Sequence, residues 1–351
     1  MYGLNKMSVE NDKKTKRGSG RRTTMHDIAR LAEVDVSTVS RALADSPRVT
    51  DETKSRILKI VQDTGYVINH GARMLRQRYS GQVLVMLPNI AFTYFPEVVL
   101  GIEDYVQEHG FSVVVGSTRY DREREEALAQ QLLTGAADGI IFMTGTIPEL
   151  VKTFPSFDRH IVGISRAIPD EHIPQVNIDN YLAMETATRH LLGLGHQSIV
   201  HLAGSQSSPT FRARAEAYER TMEDAGLGEK VNVIVSEEYS IQAGGERMNE
   251  MLEAGVRPTA VICAGDDMAL GAMHAARLSG LEIPRDIAFI GFDDQPFSAV
   301  MNPSLSTIQI PRREMGMAGA RLLLANMDMT KDKPDSILLP HKLIVRESCG
   351  G

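Results

Sequence analysis

From residue 82 onward the sequence alternates short apolar, β-branched runs with stretches of helical period, and this pattern constrains the fold more than any other feature. The runs fall at 83–87, 113–116, 139–143, 161–164, 199–202, 231–235, 260–263 and 287–290. Between them lie helix-period segments at 96–109, 121–134, 181–193, 211–225 and 267–280. Strands separated by helices build parallel sheets covered on both faces, because parallel neighbours need a long crossover connection. There are too many strands for one sheet, and the segment Val176-Asn177-Ile178-Asp179-Asn180 reads as a crossing between two. The expected core is therefore two doubly wound lobes. Ligands of such sheets sit at the carboxyl ends of the strands, so a small-molecule cleft is expected there.

With 351 residues the chain is too long for one typical core and predicts two or three packed units. Its 42% hydrophobic and 24% charged residues exclude disordered and fibrous classes. Two cysteines, Cys263 and Cys349, allow one bridge at most, which points to a reducing compartment. The longest clean apolar run, 83–87, is far short of the roughly 20 residues a membrane helix needs. No basic segment followed by an apolar one opens the chain, so a cytoplasmic protein without a membrane partner is expected.

No phosphate-cradling glycine loop stands at a strand–helix junction, and the ten histidines are scattered. No cofactor and no metal site are therefore expected. Two acidic pairs, Asp266-Asp267 and Asp293-Asp294, suit no general-acid/base dyad, since adjacent side chains point apart. Asp266 reads as a helix cap ahead of Met268-Ala269-Leu270. Asp293 follows the 287–291 run at its carboxyl end and reads as a ligand-binding carboxylate. The chain is not expected to be an enzyme.

The net charge of −7 is unevenly placed. Residues 1–80 carry 16 Lys and Arg against 9 Asp and Glu, a net of +7, which leaves −14 on the rest. A basic front end meets a polyanion or is simply a solvated tail. Residues 1–22, with KKTKRGSGRR, read as a flexible basic arm. Thr24 with Asp27 three residues later predicts the start of a helix over 25–32, burying Ile28, Ala29, Leu31 and Ala32. After Glu33-Val34-Asp35, Asp35 can cap a second helix over 36–44, and Thr50 can cap a third over 51–64 with Ile57, Ile60 and Val61 on one face. Gly65 ends it. This is the layout of a helix-turn-helix DNA reader, although a small protein-binding module shares the spacing. In the DNA reading, Val36, Ser37 and Arg41 face the major groove, with Thr38 on the phosphate side and Val39 on the core side; Arg suits guanine and Val a thymine methyl.

Met25-His26-Asp27-Ile28-Ala29-Arg30-Leu31-Ala32, then Val34-Asp35-Val36-Ser37-Thr38-Val39-Ser40-Arg41-Ala42-Leu43, resemble the headpiece of the LacI family of bacterial repressors. The likeness continues through Val49-Thr50 and Gly65-Tyr66 to Ala72-Arg73 and Leu75. It implies DNA contacts from Thr24, Val36, Ser37, Thr38, Ser40, Arg41, Asn69, Ala72, Arg73 and Leu75. It also implies a hinge helix, formed on operator DNA, whose Leu75 wedges into the minor groove. Ile68-Asn69 stands where the family has Pro-Asn, and Gly71 costs the hinge helix about 1 kcal/mol relative to alanine.

In the core the resemblance rests on Asp138-Gly139-Ile140-Ile141, Ile178-Asp179-Asn180, Leu194-Gly195-His196, Pro258-Thr259-Ala260-Val261, Asp266 through Gly271, Gly291-Phe292-Asp293-Asp294, and Pro303 through Ile308. The first lobe is most similar to the cytidine-responsive members. The implied fold is an all-α helix-turn-helix headpiece followed by an α/β two-lobed core like that of periplasmic binding proteins, with two doubly wound parallel sheets. The implied segments are 23–68 for the headpiece and 69–80 for the hinge. The lobes would take 81–179 with 311–340, and 180–310 with 341–351.

The implied effector site includes Arg214 and Asp293, with Tyr94, Phe95 and Tyr239 at positions where the purine-responsive member places aromatic groups. Ser208, Thr210 and Arg166 are further candidates. Core packing for the aromatics and an ordinary loop for Ser208 and Thr210 remain open alternatives. Gly265 stands where sugar-responsive members often carry asparagine. The resemblance implies a homodimeric repressor whose affinity for double-stranded operator DNA is set by a small polar effector, a sugar, sugar derivative or nucleoside. The alternative is a solute-binding protein without DNA regulation.

Overall fold

The computed structural model describes residues 23–43, 45–66, 79–170 and 172–350. The chain divides into two compact units, residues 1–76 and 77–351. The first holds three helices: α1 Met25–Leu31, α2 Val36–Leu43 and α3 Asp51–Thr64.

The starts of α1 and α3 follow from local donor–acceptor exchanges. The Thr24 hydroxyl accepts from the Asp27 backbone N–H, and the Asp27 carboxylate accepts from the Thr24 N–H at 3.0 Å, a reciprocal capping box. The Thr50 hydroxyl accepts from the Thr53 N–H. Gly65, at φ +61°, closes α3 in the left-handed region that glycine enters without steric cost. Ile28, Ala29, Ala32, Val39, Ala42, Val49, Ile57 and Tyr66 form the small core. Leu31, expected inside, is 54% exposed, because it lies at the end of α1 on the face away from that cluster. The implied contacts Asn69, Ala72, Arg73 and Leu75 lie outside the described residues.

The second unit opens with β1 Gln82–Leu87, α4 Phe95–Glu108, β2 Ser112–Ser117, α5 Arg122–Leu133, β3 Gly139–Phe142, α6 Glu149–Thr153, β4 Ile161–Ile164 and β5 Gln175–Ile178. It continues with α7 Asn180–Gly193, β6 Ile199–Ala203, α8 Pro209–Asp224, β7 Val233–Val235, α9 Ile241–Glu253, β8 Ala260–Cys263 and α10 Asp266–Leu278. Last come β9 Ala288–Asp293, β10 Ser306–Gln309, α11 Arg312–Met327, β11 Ile337–Leu339 and β12 Lys342–Ile344. Two six-stranded sheets result, in the orders β11-β5-β4-β3-β1-β2 and β12-β10-β9-β8-β6-β7. All pairings are parallel except β10 with β12.

The chain crosses between the sheets three times, after β5, after β10 and between β11 and β12. The 176–180 crossing occurs where β5 ends and the Asp179 carboxylate caps α7 by accepting from the Leu182 N–H. The strand expected over 231–235 is shorter, at Val233–Val235, and that over 287–290 is longer, at Ala288–Asp293. Among the described residues no helix is long and apolar enough to cross a membrane.

Each lobe brings two helix backbones into contact at paired glycines. A Cβ on Gly101 of α4 would lie 2.1 Å from the Arg313 carbonyl oxygen of α11, and one on Gly316 would lie 2.0 Å from that of Val98. In the other lobe a Cβ on Gly244 of α9 would meet the Met268 carbonyl oxygen at 2.1 Å, and one on Gly271 of α10 that of Ile241 at 1.8 Å. Backbone cannot yield as a side-chain tip can, so the helices must separate. Gly271→Ala and Gly316→Ala are each expected to destabilise their lobe by about 1–3 kcal/mol or more. Denaturant unfolding would show this; a midpoint equal to that of the parent chain would refute the close-packing account.

Candidate functional site

The carboxyl ends of the strands converge on a cavity between the two sheets, enclosing about 540 Å³ with the part open to solvent included. The loop after β1 supplies Phe92 and Tyr94, the start of α4 supplies Phe95, and the turn after β4 supplies Ser165 and Arg166. Ile178 and Asn180 come from the crossing, and Thr210, Phe211 and Arg214 from α8. Tyr239 follows β7, Ala264 follows β8, Asp293 ends β9, and Ile310 and Met315 flank the second crossing. Of the residues expected here, Tyr94, Phe95, Arg166, Thr210, Arg214, Tyr239 and Asp293 line the cavity.

Ser208 does not. It precedes α8 and makes no side-chain cap, six positions before Arg214 and off the face that Arg214 shares with Phe211 and Thr210. Phe92, Asn180 and Phe211 were not anticipated. Phe211 was within reach of the sequence, being three residues before Arg214 on one helical face, whereas nothing local marked Asn180.

Arg214 is held rigidly. Its Nε donates to Asn180 Oδ1 and one terminal nitrogen to the Ala264 carbonyl, both at 2.9 Å. Its guanidinium lies 3.9 Å from the Phe292 ring centroid, where the ring's negative face favours a cation. Burial pulls its pKa down, against the opposing pull of Asp293. Opposite stands Asp293, in the left-handed region at φ +103°, a strained conformation for a residue with a side chain. Burial raises its pKa, while the Arg214 charge and a hydrogen bond from Tyr239 lower it.

The Tyr239 hydroxyl donates to Asp293 Oδ2 at 2.9 Å. Burial and the neighbouring carboxylates push that phenol well above its ordinary range, so it stays a donor. Gly265 makes the contact sterically possible: a Cβ there would lie 1.6 Å from the Tyr239 hydroxyl oxygen. The space that an asparagine side chain would need is thus filled by the tyrosine. Two polar contacts tie the lobes together beside the cavity, Thr93 hydroxyl to Asp267 at 3.0 Å and Ala167 N–H to Thr210 Oγ1 at 3.2 Å.

Asp266 is not a helix cap. It is the first residue of α10 and fully buried. One oxygen accepts from the Thr307 hydroxyl at 2.6 Å, and the other accepts from the Gln295 N–H and the Ser298 hydroxyl, each at 2.7 Å. It ties α10 to β10 and to the loop after β9. Burial, aided by the Asp293 charge, pushes its pKa up to about 8 against those three bonds. Among the described residues no group of three His, Cys, Asp or Glu could hold a metal ion.

In the headpiece α2 presents Ser37 and Arg41, one turn apart, to solvent. Val39 is fully buried. Val36, Thr38 and Ser40 are half-buried, Val36 packing partly on the small core, so Ser37 and Arg41 are the freest of the anticipated readers. The Thr24 hydroxyl is engaged in its cap.

A model of bacterial regulatory proteins of the lacI family matches residues 24–69, and one of a periplasmic binding protein-like domain matches residues 188–349. The transcriptional repressor CytR of Escherichia coli K12 is 31% identical over 330 residues, 93% of this chain and 96% of that protein. The chain belongs to the LacI family. It is a DNA-binding transcriptional repressor of that family, whose relatives are regulators and not enzymes. This displaces the reading of a solute-binding protein without DNA regulation. A further LacI-family relative, catabolite control protein A of Priestia megaterium, is 30% identical over 93% of this chain and 98% of that protein. Among solved LacI-family structures, the lac repressor dimer bound to operator and the anti-inducer ONPF matches with a TM-score of 0.82 at 26% identity, covering 94% of this chain and 99% of that one. The complex of the regulator CelR with cellobiose matches with a TM-score of 0.68 at 27% identity, covering 93% and 100%.

Proposed function

We propose that the cavity between the two lobes binds a small polar effector, a sugar, sugar derivative or nucleoside, and that its occupancy sets the affinity of a homodimer for a near-palindromic operator. The observation that carries this reading is the convergence of Arg214 and Asp293 on one cavity at the strand ends. A planar donor fork faces an acceptor between aromatic walls, enough to orient one polar ring. The cellobiose bound by CelR and the dimeric, operator-bound state of the lac repressor agree with it. Ser37 and Arg41 would read base edges, with Val36, Thr38, Ser40 and Thr24 supporting them. Ligand contacts to both lobes would change their relative pose and hence the spacing of two headpieces. Linkage then requires operator DNA to change ligand affinity by the same factor.

The test begins with duplexes selected from a random pool by the full chain. Binding is expected to weaken steeply with salt, by about 0.9 in the log–log slope per phosphate neutralised. Arg41→Ala is expected to cost about 1–3 kcal/mol on the selected duplex and far less on unrelated DNA. Pools of sugars, sugar derivatives and nucleosides are then added at millimolar concentration. One pool is expected to shift operator affinity at least fivefold in the parent chain and not in Arg214→Ala or Asp293→Ala. A shift that survives both substitutions would place the effector elsewhere.

A further inference from the structure

The effector cavity holds more positive charge than its own residues neutralise. Two guanidiniums line it, those of Arg166 and Arg214, against one carboxylate, Asp293. Neither arginine has a carboxylate within 4.0 Å among the described residues, although fifteen ion pairs form elsewhere, most of them on the surface where they are worth least. Arg214 is only 5% exposed, and it spends Nε and one terminal nitrogen on neutral oxygens. Asp293 already accepts from Tyr239. Arg166 has one weak partner, the Tyr120 hydroxyl at 3.5 Å.

The two cations are also brought together. Both guanidinium carbons lie over the same ring, Phe211, at 5.8 and 5.7 Å from its centroid. Arg166 acts on Arg214 as a like charge that makes its protonated form less favourable. Arg166 is set in place by the left-handed turn at Ser165, φ +71°, which directs the chain out of β4 toward the cavity. An aromatic ring attracts a cation but cannot cancel it, and an unpaired buried charge is costly. A chain that folds with two guanidiniums about one ring, one of them nearly dry, leaves their neutralisation to whatever enters.

We infer that the effector is an anion, a carboxylate or phosphate ester on a body with one flat apolar face, its charge received by Arg166 and Arg214 while the face lies on the Phe92, Phe211 and Tyr239 rings. This rests on the reading of the cavity as the effector site and narrows it. Arg166 is the specificity-determining residue: Arg214 and Asp293 suffice to orient a neutral polar ring, and the second guanidinium distinguishes the charged ligand from its neutral counterpart. A carboxylate and a phosphate monoester both match the guanidinium fork, so their shared chemistry is what the geometry selects.

The experiment uses the full-length chain in matched ligand pairs, with melting temperature and titration calorimetry as readouts. The pairs are a hexuronate against the neutral hexose, a hexose 6-phosphate against the same hexose, and a nucleoside 5′-monophosphate against the nucleoside. At least one anion is expected to bind ten times more tightly than its neutral partner at 0.1 M salt, and which pair responds separates carboxylate from phosphate. Arg166→Gln is expected to reduce that preference at least tenfold, through a larger loss of affinity for the anion than for its neutral partner. Arg166→Glu should reverse the preference. A neutral ligand that binds as tightly as its anion, with binding lost in Asp293→Ala, overturns the charge inference and leaves the effector site standing. An anion that binds through Arg166 without altering operator affinity overturns the effector reading and leaves the charge inference standing. No response from any anion overturns the inference.

Discussion

Asp266→Ala is expected to destabilise the two-lobed core by about 4 kcal/mol, the largest single-residue effect on the fold outside its apolar core. The substitution strands three donors, the Gln295 N–H and the Ser298 and Thr307 hydroxyls. Both hydroxyl-bearing residues are fully buried, so water cannot replace the carboxylate. Leaving one buried donor unmade costs about 1–3 kcal/mol. Asp266→Asn keeps the shape and one acceptor oxygen for the Gln295 N–H and the Ser298 hydroxyl, its amide facing the rotatable Thr307 hydroxyl, and is expected to fold. Its stability relative to the parent chain depends on pH in a defined direction.

The folded pKa of Asp266, about 8, lies above the ordinary 3.8. The native chain therefore holds a proton that the unfolded chain releases, and the stabilisation present below pH 3.8 is lost as pH rises through 8. The full span is on the order of 5 kcal/mol. Asn cannot ionise, so the variant should gain on the parent between about pH 4 and 8 and level off above that, as followed by urea unfolding at each pH. Parallel curves for the two proteins would show that the carboxylate is ionised in the fold throughout.

The second large effect runs the other way. His201 on β6 is fully buried, with Nδ1 at 2.9 Å from the Ile262 carbonyl oxygen and Nε2 without a partner among the described residues. Burial pushes its pKa down to about 4. The ring is thus neutral in the fold and donates through Nδ1. Its folded pKa lies below the ordinary 6.5, so the stabilisation present above pH 6.5 is lost as pH falls through 4. The loss is about 3 kcal/mol. His201→Leu has no proton to take up and is expected to remove that part of the acid limb, so that parent and variant melting temperatures converge on going from pH 7.5 to 4.5. If the gap between them stays constant over that range, His201 is not titrating with the fold.

Much of the architecture was legible because it depends on local periodicity. The strand at 260–263 appears as read, and the helix caps at Thr24, Thr50 and Gly65 form because their partners are three or four residues away. Short strands at sheet margins, Ile337–Leu339 and Lys342–Ile344, carry too little pattern to be seen in advance. The small residues were legible only as composition. Gly291 belongs to the 287–291 run and lies within β9 as that run suggests, but only the fold shows that a Cβ there would come within 2.2 Å of the Asp266 carboxylate. Asp266 itself looked like a helix cap because its acceptors' donors, Gln295, Ser298 and Thr307, are 29 to 41 residues distant.

The sequence by itself determined the class of the molecule: three helices on a basic front end, then two parallel sheets, with Asp293 at the carboxyl end of a strand. These follow from residue spacing, turn chemistry and charge, all of which act over a few neighbouring positions. Arg214 was marked only by the family resemblance. Only the tertiary structure decided who meets whom inside the cleft. Asn180 holds Arg214 across 34 residues, Tyr239 reaches Asp293 across 54, and Arg166 comes to share the Phe211 ring with Arg214. The three crossings between the sheets bring these groups together. No local pattern encodes such encounters, because they depend on how the two sheets are closed on one another.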